Sequence, residues 1–160
     1  MSAARLKHFG WGREGEGLTG EEEAFVISRA EARFGTTLKK SARAPRLEDI
    51  KLEAPRVMAP ASIPFCTSEH YDRVAHTYGK SYPELARGLA HYVSAPDVVA
   101  YPRNEADVKA VLDWAGGADA TLTPFGGGSS VSGGVEPKRN GHKGAVTVER
   151  QMDKVNPFRR

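Results

Sequence analysis

The stretch TPFGGGSSVSGG, Thr123 to Gly134, joins three consecutive glycines to three serines and two further glycines. Glycine lets successive backbone N–H groups turn toward one point, because no Cβ blocks positive φ or close approach. Amides curled together in that way form a concave anion site. Ser129, Ser130 and Ser132 add hydroxyl donors. Each charge-assisted hydrogen bond contributes about 1.5–3 kcal/mol, so a handful can hold a diphosphate without any lysine. A flexible Gly/Ser linker has a similar composition. Here, though, Pro124 and Phe125 stiffen the entry and Val131 sets an apolar plug inside the run. The expected chemistry is phosphate binding by main chain.

Two other phosphate loops do not fit. A Walker A loop needs G-x-x-x-x-G-K-[ST], and Gly79-Lys80-Ser81 has Val74 where the first glycine belongs. A dinucleotide fingerprint G-x-G-x-x-G counted from Gly126 and Gly128 meets Val131 at its last position. His8, His70, His76, His91 and His142 lack ligand spacing with one another or with Cys66, so no metal site is expected. Cys66 has no histidine beside it in sequence and reads as an inert thiol. Tyr71, Tyr78, Tyr82 and Tyr92 read as packing residues, and Phe9 and Trp11 as staples that fasten the leader to the body.

The elements that must position the loop are legible on either side of it. DVVAYP is a short β-rich run, and Asn104 caps a helix over EADVKAVLDWAGG with Val108, Val111, Leu112 and Ala115 turned inward. ATLTP is a second strand and GAVTV a third, so the loop leaves a strand end, where α/β sheets bind ligands. Strand, helix and strand make a βαβ unit, normally a right-handed crossover between parallel strands. Three such strands predict a small sheet with uncovered edges. Upstream, Thr19 and Glu22 form a capping box for a helix that Gly35 stops, with Ile27, Ala30 and Phe34 on one face. Six of the ten prolines lie from Pro45 to Pro96, which suits an extended wrapping segment, and EHYDRVAHTYG reads as a short helix within it. The expected organisation is a leader and wrapping segment over 1–95 and the start of a binding domain over 96–160, in an α+β fold.

Composition narrows the partners. Hydrophobic content of 39% and charged content of 27% fit a globular chain of one domain's length. No apolar run is long enough to span a bilayer and no secretory signal opens the chain, so cytoplasm is the expected compartment. A net charge of +3 is too small to predict nucleic-acid binding. Seven Lys/Arg fall from Lys138 to Arg160, a basic stretch that reads as a solvated end; peripheral membrane contact is the most its charge would support.

PFGGGSSVSGG resembles the diphosphate-binding loop of FAD-linked oxidases of the vanillyl-alcohol-oxidase type, with its PCMH-type FAD-binding domain. PDVVAYPRNEADVKAVLDWA resembles that family's first βαβ unit, and AVTVERQMDKV the strand and turn after the loop. LKHFGWG and YDRVAHTYGKSYPELAR are similar to the leader of its alkyldihydroxyacetonephosphate synthase branch. The resemblance implies that Pro124, Phe125, Gly126, Gly127, Gly128, Ser129 and Ser130 line the FAD diphosphate. It further implies that FAD is held non-covalently, since the loop carries no histidine or cysteine. The activity implied is that of an ether-lipid-type synthase, with an FAD-linked D-2-hydroxy-acid dehydrogenase and a non-catalytic remnant or interaction module as alternatives. Family members continue well past the point where this sequence reaches VNPFRR, so a shortened chain is expected. Their catalytic tyrosine, histidines and arginine, and with them the small-molecule substrate site, fall outside it, so no catalytic residue is assigned. Oligomeric state is left open.

Overall fold

The computed structural model of the chain describes residues 5–38, 44–90 and 94–149. His91, Tyr92 and the tail from Arg150 onward, including the turn expected after the third strand, lie outside the described residues.

The core is a four-stranded sheet, β1 Cys66–Thr67, β2 Val98–Ala100, β3 Ala120–Phe125 and β4 Gly144–Glu149, in the order β1-β2-β4-β3. β2 and β3 both run parallel to β4, which lies between them, and β1 joins β2 antiparallel. The strand–helix–strand unit read from sequence is therefore present, but its two strands are not neighbours. The sheet also has a fourth strand that the sequence reading missed. Along β4, Val146 pairs in register with Val98 and Leu122, and Thr147 pairs with Val99 and Thr123. Alternation then sends Val98, Ala100 and Val146 to one face and Val99 and Thr147 to the other.

The first face packs on α4, Glu105–Gly117. The Asn104 side chain accepts from the Asp107 N–H at 2.9 Å, the expected N-cap. Val111 and Ala115 are fully buried, and Val111 joins Val98, Ala100, Val146 and Ile63 in one apolar cluster. Val108 and Leu112, expected inward, are instead exposed. The buried stripe of α4 thus runs through Val111 and Ala115 alone among these four.

A second apolar cluster forms outside the core between sheet and α4. α2, His70–Ala75, and the residues after it bring Val74 and Tyr78 against Ile50, with Phe9 packed on the same cluster. The Asp97 carboxylate ties this layer to the sheet, accepting from the N–H groups of Ala145 at 2.8 Å and Arg56 at 3.0 Å. Arg73 donates to the carbonyls of Pro96 and Glu53. Phe9 thus does staple the leader, whereas Trp11 stands 59% exposed.

α1, Gly20–Phe34, forms where its capping box predicts and stops at Gly35. None of its residues is buried: Ile27 and Ala30 are half-buried, and Phe25 and Phe34 are exposed. No helix among the described residues is long and apolar enough to cross a membrane.

Candidate functional site

The glycine loop leaves the carboxyl end of β3, as expected, and returns to β4 by way of Val135 and Pro137, both buried. It has two unlike halves. In the first, the N–H groups of Gly127, Gly128 and Ser129 make no hydrogen bond to any described residue. A Cβ built on Gly126 or Gly127 would meet nothing within 4 Å, so open space lies beside this backbone. Gly128 has φ +66°, and a Cβ there would stand 2.9 Å from the Phe125 ring. Only glycine satisfies that position on both counts. Amides with no acceptor among the described residues are donors available to a ligand.

In the second half the loop is closed by its own side chains. Ser130 Oγ accepts from the Gly134 N–H at 3.3 Å and lies 3.4 Å from Ser132 Oγ. The Ser130 hydroxyl therefore shapes the turn while keeping one proton to donate. Ser129, Ser132 and Val131 are exposed.

The expected site residues divide accordingly. Gly126, Gly127 and Ser129 are exposed, Gly128 is buried between them against Phe125, and Pro124 is exposed just before them. The Phe125 ring turns inward, 8% exposed, with its centroid 4.4 Å from that of His76. It anchors the loop to the body. His76 is itself buried. Its Nδ1 lies 2.7 Å from the Asp72 carbonyl and its Nε2 2.7 Å from the Glu149 carboxylate. Both ring nitrogens therefore sit at hydrogen-bond distance from an oxygen of the chain. Tyr101 packs edge-on to His76 and donates to Asp72 Oδ1 at 2.6 Å; burial first, and the Asp72 carboxylate second, push its pKa well up. This cluster backs the loop entry.

A second contact was also missed. Lys80 N–H donates to the Ser130 carbonyl at 2.6 Å, and the Gly79 N–H donates to Glu84 Oε1 at 2.8 Å. Glu84 opens α3, Tyr82–Ala90: its carboxylate accepts from the Ser81 N–H while its own N–H donates to Ser81 Oγ. That is a reciprocal capping box. Its signature, Ser81-x-x-Glu84, is visible in the sequence directly after the Gly79-Lys80-Ser81 tripeptide. Farther along α3, Arg87 grips Glu136 with two nitrogens at 2.8 and 3.0 Å. Burial lowers the pKa of the half-buried Lys80, and the Glu84 charge opposes that shift.

The larger cavity, about 840 Å³, lies elsewhere. It opens at the amino ends of β2 and β4, where Asp97 and Ala145 meet Arg56, Arg73 and Lys138. A smaller one of about 420 Å³ lies beside β1 and includes Cys66 and Tyr101. Burial pushes the Cys66 thiol up to about 11, which keeps it protonated and unreactive near neutral pH.

Comparison with known proteins agrees with the geometry of the loop-bearing half. Residues 96–159, from β2 through the glycine loop to β4 and beyond, match the FAD binding domain family. The chain is 33% identical over 85 residues to alkyldihydroxyacetonephosphate synthase of Dictyostelium discoideum, an alignment covering 52% of this chain and 14% of that protein. It is 38% identical over 68 residues to the enzyme of the same name from Trypanosoma brucei brucei, covering 42% and 11%. Two solved structures of alkyldihydroxyacetonephosphate synthase superpose with TM-scores of 0.68 and 0.67 at 22% and 21% identity. Each covers 89% of this chain, and the chain spans 32% and 30% of theirs. The family resemblance is borne out, and the fold is α+β, matching part of a PCMH-type FAD-binding domain.

Proposed function

We propose that this chain binds FAD non-covalently through the loop Pro124–Ser130, as the N-terminal part of a flavoenzyme similar to alkyldihydroxyacetonephosphate synthase. The observation that carries the reading is that the amides of Gly127, Gly128 and Ser129 have no acceptor among the described residues, with open space beside Gly126 and Gly127 at the end of β3. That arrangement suits the two linked phosphates of a dinucleotide: the amides supply donors, and the bare Cα of Gly127 lets the phosphates approach. Phe125 and His76 hold the loop entry so that the donors need not be ordered by the ligand. Bound FAD would supply the redox-active isoalloxazine ring. The residues of this chain would hold its diphosphate end, and no catalytic role falls on them.

Titration of the purified chain with FAD, followed by flavin fluorescence and thermal melting, tests this. At a hundredfold excess over Kd the native state gains about 2.7 kcal/mol. Acid precipitation should release all the flavin into the supernatant, as non-covalent binding requires. Gly127→Val is the informative variant, because a Cβ at that position meets nothing in the folded chain. It is expected to melt like the parent without FAD and to lose FAD binding about a hundredfold or more, the scale of two hydrogen bonds to a charged group. Absence of any FAD-dependent shift in the parent chain would sink the proposal.

A further inference from the structure

The exit half of the glycine loop is gripped by a segment fifty residues away in sequence. A Cβ on Gly79 would stand 2.5 Å from the Ser130 carbonyl oxygen, nearer than any side-chain carbon can approach main chain. Gly79 lies outside the left-handed region, so it is this contact, not the backbone conformation, that demands glycine there. The approach allows the Lys80 N–H to take the Ser130 carbonyl at 2.6 Å. The grip is itself anchored, because the Glu84 carboxylate, 1% exposed as a residue, binds the N–H groups of Gly79 and Ser81 on either side of Lys80.

We infer that Gly79 and Lys80 form a positioning strap that sets the donor direction of the phosphate loop. All peptide bonds in the described chain are trans, so the C=O of Ser130 and the N–H of Val131 point in opposite directions. Tying the carbonyl to Lys80 does two things. It withdraws a partial negative charge that would repel a phosphate. It also turns the Val131 N–H, which has no acceptor among the described residues, away from the strap to continue the row begun by Gly127, Gly128 and Ser129. The strap acts through Ser130 and touches no phosphate itself.

The inference rests on the FAD reading above, and one set of measurements separates the two. Gly79→Ala forces the strap and loop apart. It is expected to weaken FAD binding about tenfold or more, the scale of one hydrogen bond to a charged group. In ¹⁵N spectra the Val131 amide of the parent chain is expected to shift on FAD addition, a response Gly79→Ala should lose. On the unmutated chain, saturating FAD should slow hydrogen exchange at the Lys80 amide, a readout that stands even if the variant does not fold. If the parent binds no FAD, the function reading itself fails. If the parent binds FAD while Gly79→Ala binds equally well, or while Lys80 exchange is unchanged by FAD, the strap is refuted and the function reading survives.

Discussion

Helices α1 and α3 open with the same local device and put it to different uses. In α1, Thr19 and Glu22 exchange hydrogen bonds at the surface: the Thr19 N–H donates to Glu22 at 2.8 Å and the Glu22 N–H to Thr19 Oγ1 at 3.2 Å. In α3, Ser81 and Glu84 do the same, but the carboxylate is buried and reaches one residue pair farther back to hold Gly79. The first box starts a helix that buries none of its own residues. The second fixes the chain that grips the glycine loop. Identical capping chemistry therefore says where a helix begins and nothing about what depends on it. Burial of the carboxylate makes the difference.

The sharpest way to break that contrast is to remove both carboxylates in turn. Glu84→Ala leaves the buried N–H groups of Gly79 and Ser81 without acceptors and should cost about 3 kcal/mol in chemical denaturation. Glu22→Ala, at an exposed cap, should leave the denaturation midpoint where it was. Equal losses would show that burial does not separate the two boxes.

Acid should reproduce part of that difference. Burial works to raise the Glu84 pKa. The Ser81 side chain, the Gly79 and Ser81 amides and the Arg87 charge outweigh it, and the carboxyl is held below its ordinary 4.5. Glu22 is also lowered, by its backbone and side-chain bonds to Thr19. A folded-state pKa below the unfolded one gives stability that is full above 4.5 and lost as pH falls through the folded value. Amide exchange at Gly79 should therefore stay slow down to that point and quicken below it. The effect should be smaller than that of Glu84→Ala, since a neutral carboxyl still accepts. Protection that instead rises as pH falls from neutral would give the sign the other way.

The smallest effect belongs to Thr19→Ala, which should cost about 1 kcal/mol within α1 alone. Fraying should appear in the amides of Glu22 and Glu23 with no change in the melting of the sheet. A matching loss at β4 would reveal packing of α1 that its exposure does not show.

The same contrast explains what the sequence could and could not disclose. Asn104, Thr19 and the GGGSS run act through neighbours within a few positions, so α4, α1 and the loop were legible with nearly their observed bounds. The place of β4 between β2 and β3 was not, because strand order depends on contacts that no local pattern encodes. β1 was missed because two residues carry no periodicity. Gly79-Lys80-Ser81 drew attention as a failed nucleotide motif, while the capping signature beginning at Ser81 passed unread. What makes Gly79 matter is a carbonyl at Ser130, and only the folded chain brings the two together. Val108 and Leu112 satisfied the helical spacing, yet the buried stripe of α4 runs through Val111 and Ala115 and leaves them on its flank.

The strand order has one more consequence. Among the described strands, β1 closes one side of the sheet after two residues, whereas β3 presents six on the other, and no described strand pairs with its outer side. Pro124 lacks the N–H a partner would need, so it interrupts that row near its carboxyl end. Growth of the sheet is thereby lopsided: a further strand, whether from a longer polypeptide or from a second molecule, finds its template along Ala120 to Thr123, on the same strand that delivers the phosphate loop.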